Sequence, residues 1–156
     1  MSKADSEKMK VLFLCTGNSC RSQMAEGWAR HLKGDCVEAY SAGVEVKGLD
    51  PRAVKVMAEA GVDISGQRSK HVRELMSIPF GYVVAVCDHA RESCPVFLGR
   101  TRVVHVPFED PPRLAAEARS EEEALSHYRR VRDALRRFVE RLPDILNDLW
   151  GRTQDS

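Results

Sequence analysis

The segment between Met9 and Lys33 restricts the fold more than any other part of the chain. Met9–Cys15 is a short apolar run that ends in turn-forming residues, as a buried parallel strand does. Ser22–Lys33 then shows apolar residues at helical spacing, and Ser22 is placed to cap that helix. A strand that leads through a polar loop into a helix is the building unit of a parallel sheet.

The rest of the chain repeats this alternation. Further strands are predicted at Cys36–Ser41, Gly81–Cys87 and Arg102–Val106. Helices are predicted at Pro51–Ala60, at His71–Met76 and from Ser120 onward, where Pro143 kinks or restarts the last one. We therefore expect an α/β fold, a three-layer sandwich whose four-stranded parallel sheet has the order 2-1-3-4. Residues 1–8 are expected to form a mobile tail and residues 9–150 a single domain.

Charge and cysteine content narrow the functional classes. Lys and Arg number 24 against 23 Asp and Glu, so a net charge of +1 gives no support to nucleic-acid or membrane binding. The apolar stretch Val11–Leu14 is too short for a signal peptide or a membrane span, and we expect a cytoplasmic protein, by default a monomer. In a reducing compartment, an odd number of cysteines, five here, indicates catalytic or redox thiols rather than structural disulfides.

The loop after the first strand predicts an oxyanion site. Its backbone amides, aided by the N-terminus of the following helix, can converge on one anion. Arg21 offers a planar fork for two oxygens of a tetrahedral oxyanion. Cys15 lies beneath that anion, where these fields should make it a nucleophilic thiolate near neutral pH. Asn18 and Cys20 are expected to shape the loop. The predicted oxyanion-binding residues are Thr16, Gly17, Asn18, Ser19, Cys20, Arg21 and Ser22.

A plainer interpretation of this loop is a packed cysteine beside a helix-capping serine. The spacing of Cys15, Arg21 and Ser22 between a strand and a helix is a more specific combination than that interpretation requires, and it favours the oxyanion site. Asp110 follows the fourth predicted strand, at the same edge of the sheet as Cys15, and its carboxyl group can protonate a leaving oxygen. An ordinary Asp-Pro turn explains Asp110 equally well, and the residues alone leave both alternatives open.

Two later cysteines extend the predicted site. Cys87 ends the third predicted strand, next to the first, at a strand spacing of about 4.8 Å. A disulfide needs Cα atoms about 4.4–6.8 Å apart, so Cys15 and Cys87 are expected close enough to react. Cys94 follows, and a helical connection would place it about 10 Å from Cys87, so a bond between them requires local unwinding. The alternatives are packed core thiols or a zinc site with His89, although the paired close spacings of zinc sites are absent.

Together these residues resemble the thioredoxin-coupled arsenate reductases, relatives of the low-molecular-weight protein tyrosine phosphatases. The resemblance covers nearly the whole chain from Met9 to the end of the long helix. It is carried by Cys15–Glu26, Tyr40–Gly43, Asp63–Ser65, Cys87 with Cys94-Pro95, and Asp110-Pro111.

The resemblance implies a mechanism. Cys15 attacks arsenate held by the loop and Arg21, while Asp110 protonates the departing oxygen. Cys87 then attacks Cys15, so that arsenite leaves and a Cys15–Cys87 disulfide remains. Cys94 shifts the disulfide to Cys87–Cys94, and thioredoxin, the implied electron donor, reduces it.

The resemblance also bears on cations. Some members of the family hold potassium at positions that match Asn18, Glu26 and Ser41, together with two later positions that here are Arg68 and Lys70. The hypothesis for this chain is that the Lys70 ammonium replaces the cation and pairs with Glu26. Neither a metal ion nor another cofactor is therefore expected.

Two other functions stay open at this point. A phosphotyrosine phosphatase would use the same loop, Arg21 and Asp110, but it has no use for an exported disulfide. Residues Ala42–Gly48 also lack the aromatic side chains with which phosphatases of the family tend to flank the pocket. A non-catalytic oxyanion or thiol sensor would be expected to lack the nucleophile or the acid.

Overall fold

The structure is a computed structural model that describes residues 8–88, 94–95, 97 and 100–154. The predicted tail, apart from Lys8, and His89 lie outside the described residues. Within the described residues, no helix is both long enough and apolar enough to cross a membrane.

The secondary structure alternates as predicted. The strands are β1 (Met9–Cys15), β2 (Val37–Gly43), β3 (Tyr82–Ala85) and β4 (Arg102–His105). The helices are α1 (Arg21–Lys33), α2 (Pro51–Glu59), α3 (Pro111–Ala115), α4 (Glu121–Val139) and α5 (Asp144–Gln154), with a 3-10 helix at Val72–Leu75.

The four strands form one parallel sheet in the order β2-β1-β3-β4, which confirms the predicted α/β fold and strand order. Strand β1 lies inside the sheet, and Val11–Leu14 are fully buried although their side chains alternate between the two faces. Both faces are therefore covered, as in other parallel sheets. The register pairs Cys15 with Gly43, and Ala85 with both Leu14 and His105, so the carboxyl ends of all four strands meet at one edge.

Helix α1 is held between the sheet and α4. The indole Nε1 of Trp28 donates a hydrogen bond to the carbonyl of Arg132 on α4 at 3.0 Å, and the Arg136 guanidinium lies 5.1 Å from the centroid of the indole ring. Tyr128 on α4 donates to Asp50 Oδ2 at 2.6 Å, and Asp50 also caps α2 by accepting from the Arg52 amide. These contacts fix the helices that follow β1 and β2, and so fix the start of α1 at the sheet edge.

Several local predictions were wrong. Helix α1 begins at Arg21, with Cys20 at the N-cap position and no side-chain cap, so Ser22 is inside the first turn and does not cap it. Strand β3 ends at Ala85, and Cys87 lies in the loop beyond it. No helix was expected after Asp110, yet α3 forms there because its two prolines suit the first turn of a helix.

The last part of the chain agrees with the sequence more closely. Ser120 caps α4 by accepting a hydrogen bond from the Glu123 amide. Helix α4 stops at Val139, and after the cis Leu142–Pro143 peptide bond the chain restarts as α5. Helix α5 continues to Gln154, past the predicted domain end at residue 150.

Replacing Gly27 with alanine tests the packing of α1. A Cβ at Gly27 would lie 2.5 Å from Cγ2 of Ile64, a buried β-branched side chain with little rotamer freedom. We expect the free energy of unfolding, measured in urea, to fall by about 1–3 kcal/mol in spite of alanine's better helix propensity.

Gly151→Ala is the matched control, because a Cβ at Gly151 of α5 meets no heavy atom within 4 Å. The free energy of unfolding of Gly151→Ala should stay the same as the parent's or rise. Equal destabilisation of the two variants would contradict the close contact with Ile64.

Candidate active site

The loop between β1 and α1 directs its carbonyl groups outward. The Thr16 carbonyl accepts hydrogen bonds from the Val44 and Glu45 amides at 2.9 and 2.8 Å, and the Gly17 carbonyl accepts from the Lys47 amide at 3.0 Å. The backbone amides of residues 17–19 donate to no group among the described residues. A buried turn whose amides lack protein partners while its carbonyls are satisfied is suited to bind an anion.

The end of β2 presses directly against this loop. A Cβ at Gly43 would lie 2.7 Å from the Thr16 carbonyl oxygen and 2.8 Å from the Asn18 amide nitrogen. Both contacts are with backbone atoms that a side chain cannot displace cheaply. Glycine at this position therefore lets β2 approach and hold the loop in shape.

Asn18 organises the inside of the loop. Its φ of 49° is the only positive value for a non-glycine residue in the described part of the chain, a conformation that asparagine tolerates. The buried side chain accepts hydrogen bonds at Oδ1 from Gln23 Nε2 (3.0 Å) and the Lys70 amide (2.9 Å), and donates from Nδ2 to Ser22 Oγ (2.9 Å). Asn18 therefore has the loop-shaping environment expected from the sequence.

Cys15 lies at the floor of the loop, at the last position of β1, with only 4% of its surface exposed. A hydrogen bond to the Cys87 thiol and burial raise the pKa of Cys15 well above its ordinary value, while Arg21 and the Thr16 amide act in the opposite sense. The expected thiolate near neutral pH is therefore not what this arrangement favours. The expectation of a thiolate took account of the loop amides and Arg21 but not of the second thiol and the depth of burial.

Cys87 lies beside the nucleophile although it is outside β3. Its sulfur is 3.2 Å from Thr16 Oγ1, a hydrogen bond in which either group can donate, and the residue is buried. The backbone pairing that carries it there continues past β3, since the Val86 amide donates to the Leu14 carbonyl at 2.9 Å. The structure therefore brings Cys15, Thr16 and Cys87 together.

Arg21 and Asp110 face each other across the mouth of the loop. Arg21 is 8% exposed, donates from Nη1 to the Phe108 carbonyl at 2.9 Å, and places Nη2 3.7 Å from Asp110 Oδ1. Asp110 stands at the N-cap position of α3 without capping it, and its side chain is 40% exposed. A carboxyl group that leaves its own helix uncapped and turns towards Arg21 fits a site residue better than an ordinary Asp-Pro turn.

The remaining cysteines have separate environments. Cys94 is half-buried, its sulfur donates to the Pro95 carbonyl at 3.5 Å, and burial raises the pKa of its thiol. Residues 89–93 lie outside the described part of the chain, so the expected unwinding between Cys87 and Cys94 stays a prediction. Burial raises the pKa of Cys20 well above the ordinary value, which suits the packed role predicted for it. Cys36 is a half-buried residue just before β2.

Lys70 does not form the expected direct ion pair with Glu26 in the described structure: burial lowers the pKa of Lys70, and Glu26 only acts in the opposite sense from a distance. The Lys70 ammonium donates to the Arg68 carbonyl at 2.7 Å. Buried Glu26 instead pairs with Arg30 at 2.7 Å and accepts from Ser41 Oγ at 2.5 Å. The sequence signal that was missed is the four-residue spacing of Glu26 and Arg30 on one helix face. In the described ranges, no group of three or more His, Cys, Asp or Glu side chains is arranged to hold a metal ion.

His105 is a second residue that sequence reasoning missed. It ends β4, and its Nε2 lies 3.2 Å from Asp88 Oδ1, within ion-pair distance but without hydrogen-bond geometry. A histidine at the carboxyl end of a strand was the available signal, because these ends meet at the edge that carries Cys15.

A family model described as "Low molecular weight phosphotyrosine protein phosphatase" matches residues 10–148. The chain belongs to this family. Within the family, the arsenate reductases of Halalkalibacterium halodurans and Bacillus subtilis are 45% and 44% identical to this chain. The first match covers 82% of this chain and 90% of the relative, and the second covers 83% and 91%.

This chain resembles solved structures of both kinds of enzyme in the family. An arsenate reductase in the phosphate-binding state superposes with a TM-score of 0.66 at 30% identity, over 90% of this chain and 98% of that one. The low molecular weight protein tyrosine phosphatase from T. tengcongensis superposes with a TM-score of 0.67 at 30% identity, over 88% and 99%. Backbone similarity alone therefore does not separate reductase from phosphatase. That distinction depends on the side chains of the site.

The contact between Cys15 and Cys87 predicts a change in pH dependence. Because the Cys87 thiol is the largest cause that raises the pKa of Cys15, Cys87→Ala should let the Cys15 thiolate form at lower pH. We expect the pH dependence of Cys15 alkylation by iodoacetamide, followed by peptide mass spectrometry, to move to lower pH in this variant.

Cys36→Ala is the control, since Cys36 lies just before β2, at the opposite edge of the sheet. An alkylation profile that is the same for Cys87→Ala, Cys36→Ala and the parent would refute the contact.

Proposed function

We propose that this protein is an arsenate reductase that uses Cys15, Cys87 and Cys94 in sequence and is reduced by thioredoxin. The observation that carries the proposal is the Cys87 thiol held against Cys15 and Thr16 at the floor of an oxyanion loop. A hydrolase needs one nucleophile there, whereas the reduction of arsenic(V) needs two electrons, which a pair of thiols supplies. The arsenate reductases among the relatives support the same function.

The first step is the formation of a sulfur–arsenic bond. The loop amides and the Arg21 guanidinium hold the oxyanion above Cys15. Because the pKa of Cys15 is raised, the thiol loses its proton as the sulfur–arsenic bond forms. The base that accepts this proton is the bound arsenate dianion, which is in contact with the thiol. The departing oxygen takes this proton and one from Asp110, and leaves as water.

The second step transfers the electrons. The Cys87 thiolate attacks Cys15 Sγ, a Cys15–Cys87 disulfide forms, and the sulfur–arsenic bond breaks. The bonding pair stays on arsenic, which leaves as arsenite in the +3 state. The Thr16 hydroxyl can donate to the Cys87 sulfur and so favour its thiolate form.

The third step exports the oxidation. Cys94 attacks Cys87 and frees Cys15, so that the disulfide becomes Cys87–Cys94. The Cys94 thiol must lose part of its burial to react, because burial raises its pKa. A dithiol donor of the thioredoxin type then reduces the new disulfide and restores all three thiols. We expect the reaction in the cytoplasm, where such donors are reduced, and a protein that acts as a monomer.

Hydrolysis of aryl phosphates is the second candidate activity. The loop, Arg21 and Asp110 suit a phosphate ester as well as they suit arsenate, and the phosphatase from T. tengcongensis shares the fold. Phosphorus(V) accepts no electrons from thiols, so this activity leaves Cys87 and Cys94 without a role. We expect it as a weak side activity of the same site.

Cys94→Ser tests the relay. It should complete a single turnover of arsenate and then stop with a Cys15–Cys87 disulfide, because nothing can attack Cys87. The measurements are arsenate-dependent NADPH oxidation in the presence of thioredoxin and thioredoxin reductase, arsenite released per enzyme, and disulfide mapping. Cys36→Ser, which removes a thiol outside the site, should turn over like the parent.

Cys87→Ser separates the two activities. It should abolish arsenate reduction but retain hydrolysis of an aryl phosphate, because Cys15, Arg21 and Asp110 remain. If Cys87→Ser and Cys94→Ser both reduce arsenate at the parent's rate, the three-thiol relay is wrong. If the parent cleaves the aryl phosphate but consumes no NADPH with arsenate, the protein is a phosphatase.

A further inference from the structure

The segment that follows β2 is fixed onto the oxyanion loop at Gly17. The Lys47 amide donates to the Gly17 carbonyl at 3.0 Å. The same carbonyl accepts from Ser69 Oγ at 3.2 Å, and Ser69 Oγ in turn accepts from the Gly48 amide at 3.2 Å. The backbone at Lys47 is therefore tied to the loop on both sides, and the starting point of its side chain is set.

The stem of Lys47 lies along the loop itself. A Cβ at Gly17 would lie 3.2, 3.1 and 3.0 Å from Cβ, Cγ and Cδ of Lys47, so three successive carbons follow the same stretch of backbone. Gly17 does not have a positive φ, and its backbone conformation alone does not demand glycine. The absence of a side chain at Gly17 instead leaves room for Lys47 to cross the loop.

The side chain of Lys47 ends in a charge that has no carboxylate partner within the described ranges. Lys47 is exposed, and its ammonium has no carboxylate within ion-pair distance among the residues that the structure describes. The other cations near the loop differ: Arg21 faces Asp110, Arg68 pairs with Glu74 at 2.9 Å, and the Lys70 ammonium donates to a carbonyl. An ammonium with no counter-ion in the described part of the chain, two bonds beyond a carbon that lies against Gly17, raises the electrostatic potential around the loop.

We propose that Lys47 is a second cationic residue of the site, which recruits the free oxyanion to the loop from the pocket mouth. Arg21 lies inside, almost fully buried, and holds the anion by its guanidinium fork. Lys47 acts from the exposed rim through its charge. A charge in water is screened by salt, so the contribution of Lys47 is large at low ionic strength and small at high ionic strength.

The test measures binding of inorganic phosphate to the reduced protein by isothermal titration calorimetry. Lys47→Gln keeps the first side-chain carbons over Gly17 and removes the charge, and should weaken binding by about five-fold at an ionic strength of about 0.01 M. At about 1 M the difference from the parent should disappear. Lys47→Arg, which keeps a cation on a similar stem, should bind like the parent.

Lys33→Gln is the matched control, because it changes the net charge equally. Lys33 ends α1, and about 1.5 Å of rise per residue puts it roughly 18 Å along the helix axis from Arg21. If Lys47→Gln and Lys33→Gln bind phosphate equally at low salt, or if the loss in Lys47→Gln is the same at both salt concentrations, the proposal is wrong.

The inference shares its site with the proposed function but fails separately from it. Phosphate binding requires no turnover and no thiol relay. A protein that binds phosphate with the expected dependence on Lys47 but reduces no arsenate would refute the reductase and leave the role of Lys47 standing. If the parent reduces arsenate but Lys47→Gln binds phosphate like the parent at low salt, the role of Lys47 is refuted and the reductase stands.

Discussion

The site depends on the hydrogen bonds that turn the carbonyls of the oxyanion loop away from its centre. Thr16 and Gly17 give their carbonyls to amides of the segment after β2, and Asn18 closes the loop from inside with its side-chain amide. These partners lie far from the loop in sequence but beside it in the sheet, where β1 pairs with β2 in register. The loop amides are thereby held for an anion before any anion binds, which removes most of the cost of ordering them.

The same edge of the sheet explains why two thiols meet. Cys15 ends β1 and Cys87 follows β3, its parallel neighbour, and the hydroxyl of Thr16, the residue after Cys15, contacts the Cys87 sulfur. The contact with Cys87, together with burial, raises the pKa of Cys15. In the proposed function, this second thiol is what suits the site to two-electron chemistry.

Charge around the site is arranged by depth. Buried Glu26 pairs with Arg30 of its own helix, whose side chain is 59% exposed, so the charge of Glu26 is balanced from the surface. Arg21 is almost fully buried and faces Asp110, and the exposed side chain of Lys47 lies along Gly17 of the loop. An exposed charge attracts ions over a distance that salt controls.

The sequence by itself determined the strand order, the position of the loop between β1 and α1, and the closeness of Cys15 and Cys87, because apolar runs, turn residues and strand adjacency are local or topological signals. It did not determine that Cys20 and not Ser22 stands at the N-cap of α1, that Glu26 pairs with Arg30 rather than Lys70, or that the pKa of Cys15 is raised. Only the tertiary structure decided these points. Each depends on which side chains meet across elements and how deeply they are buried, and on energies that pattern and spacing do not contain.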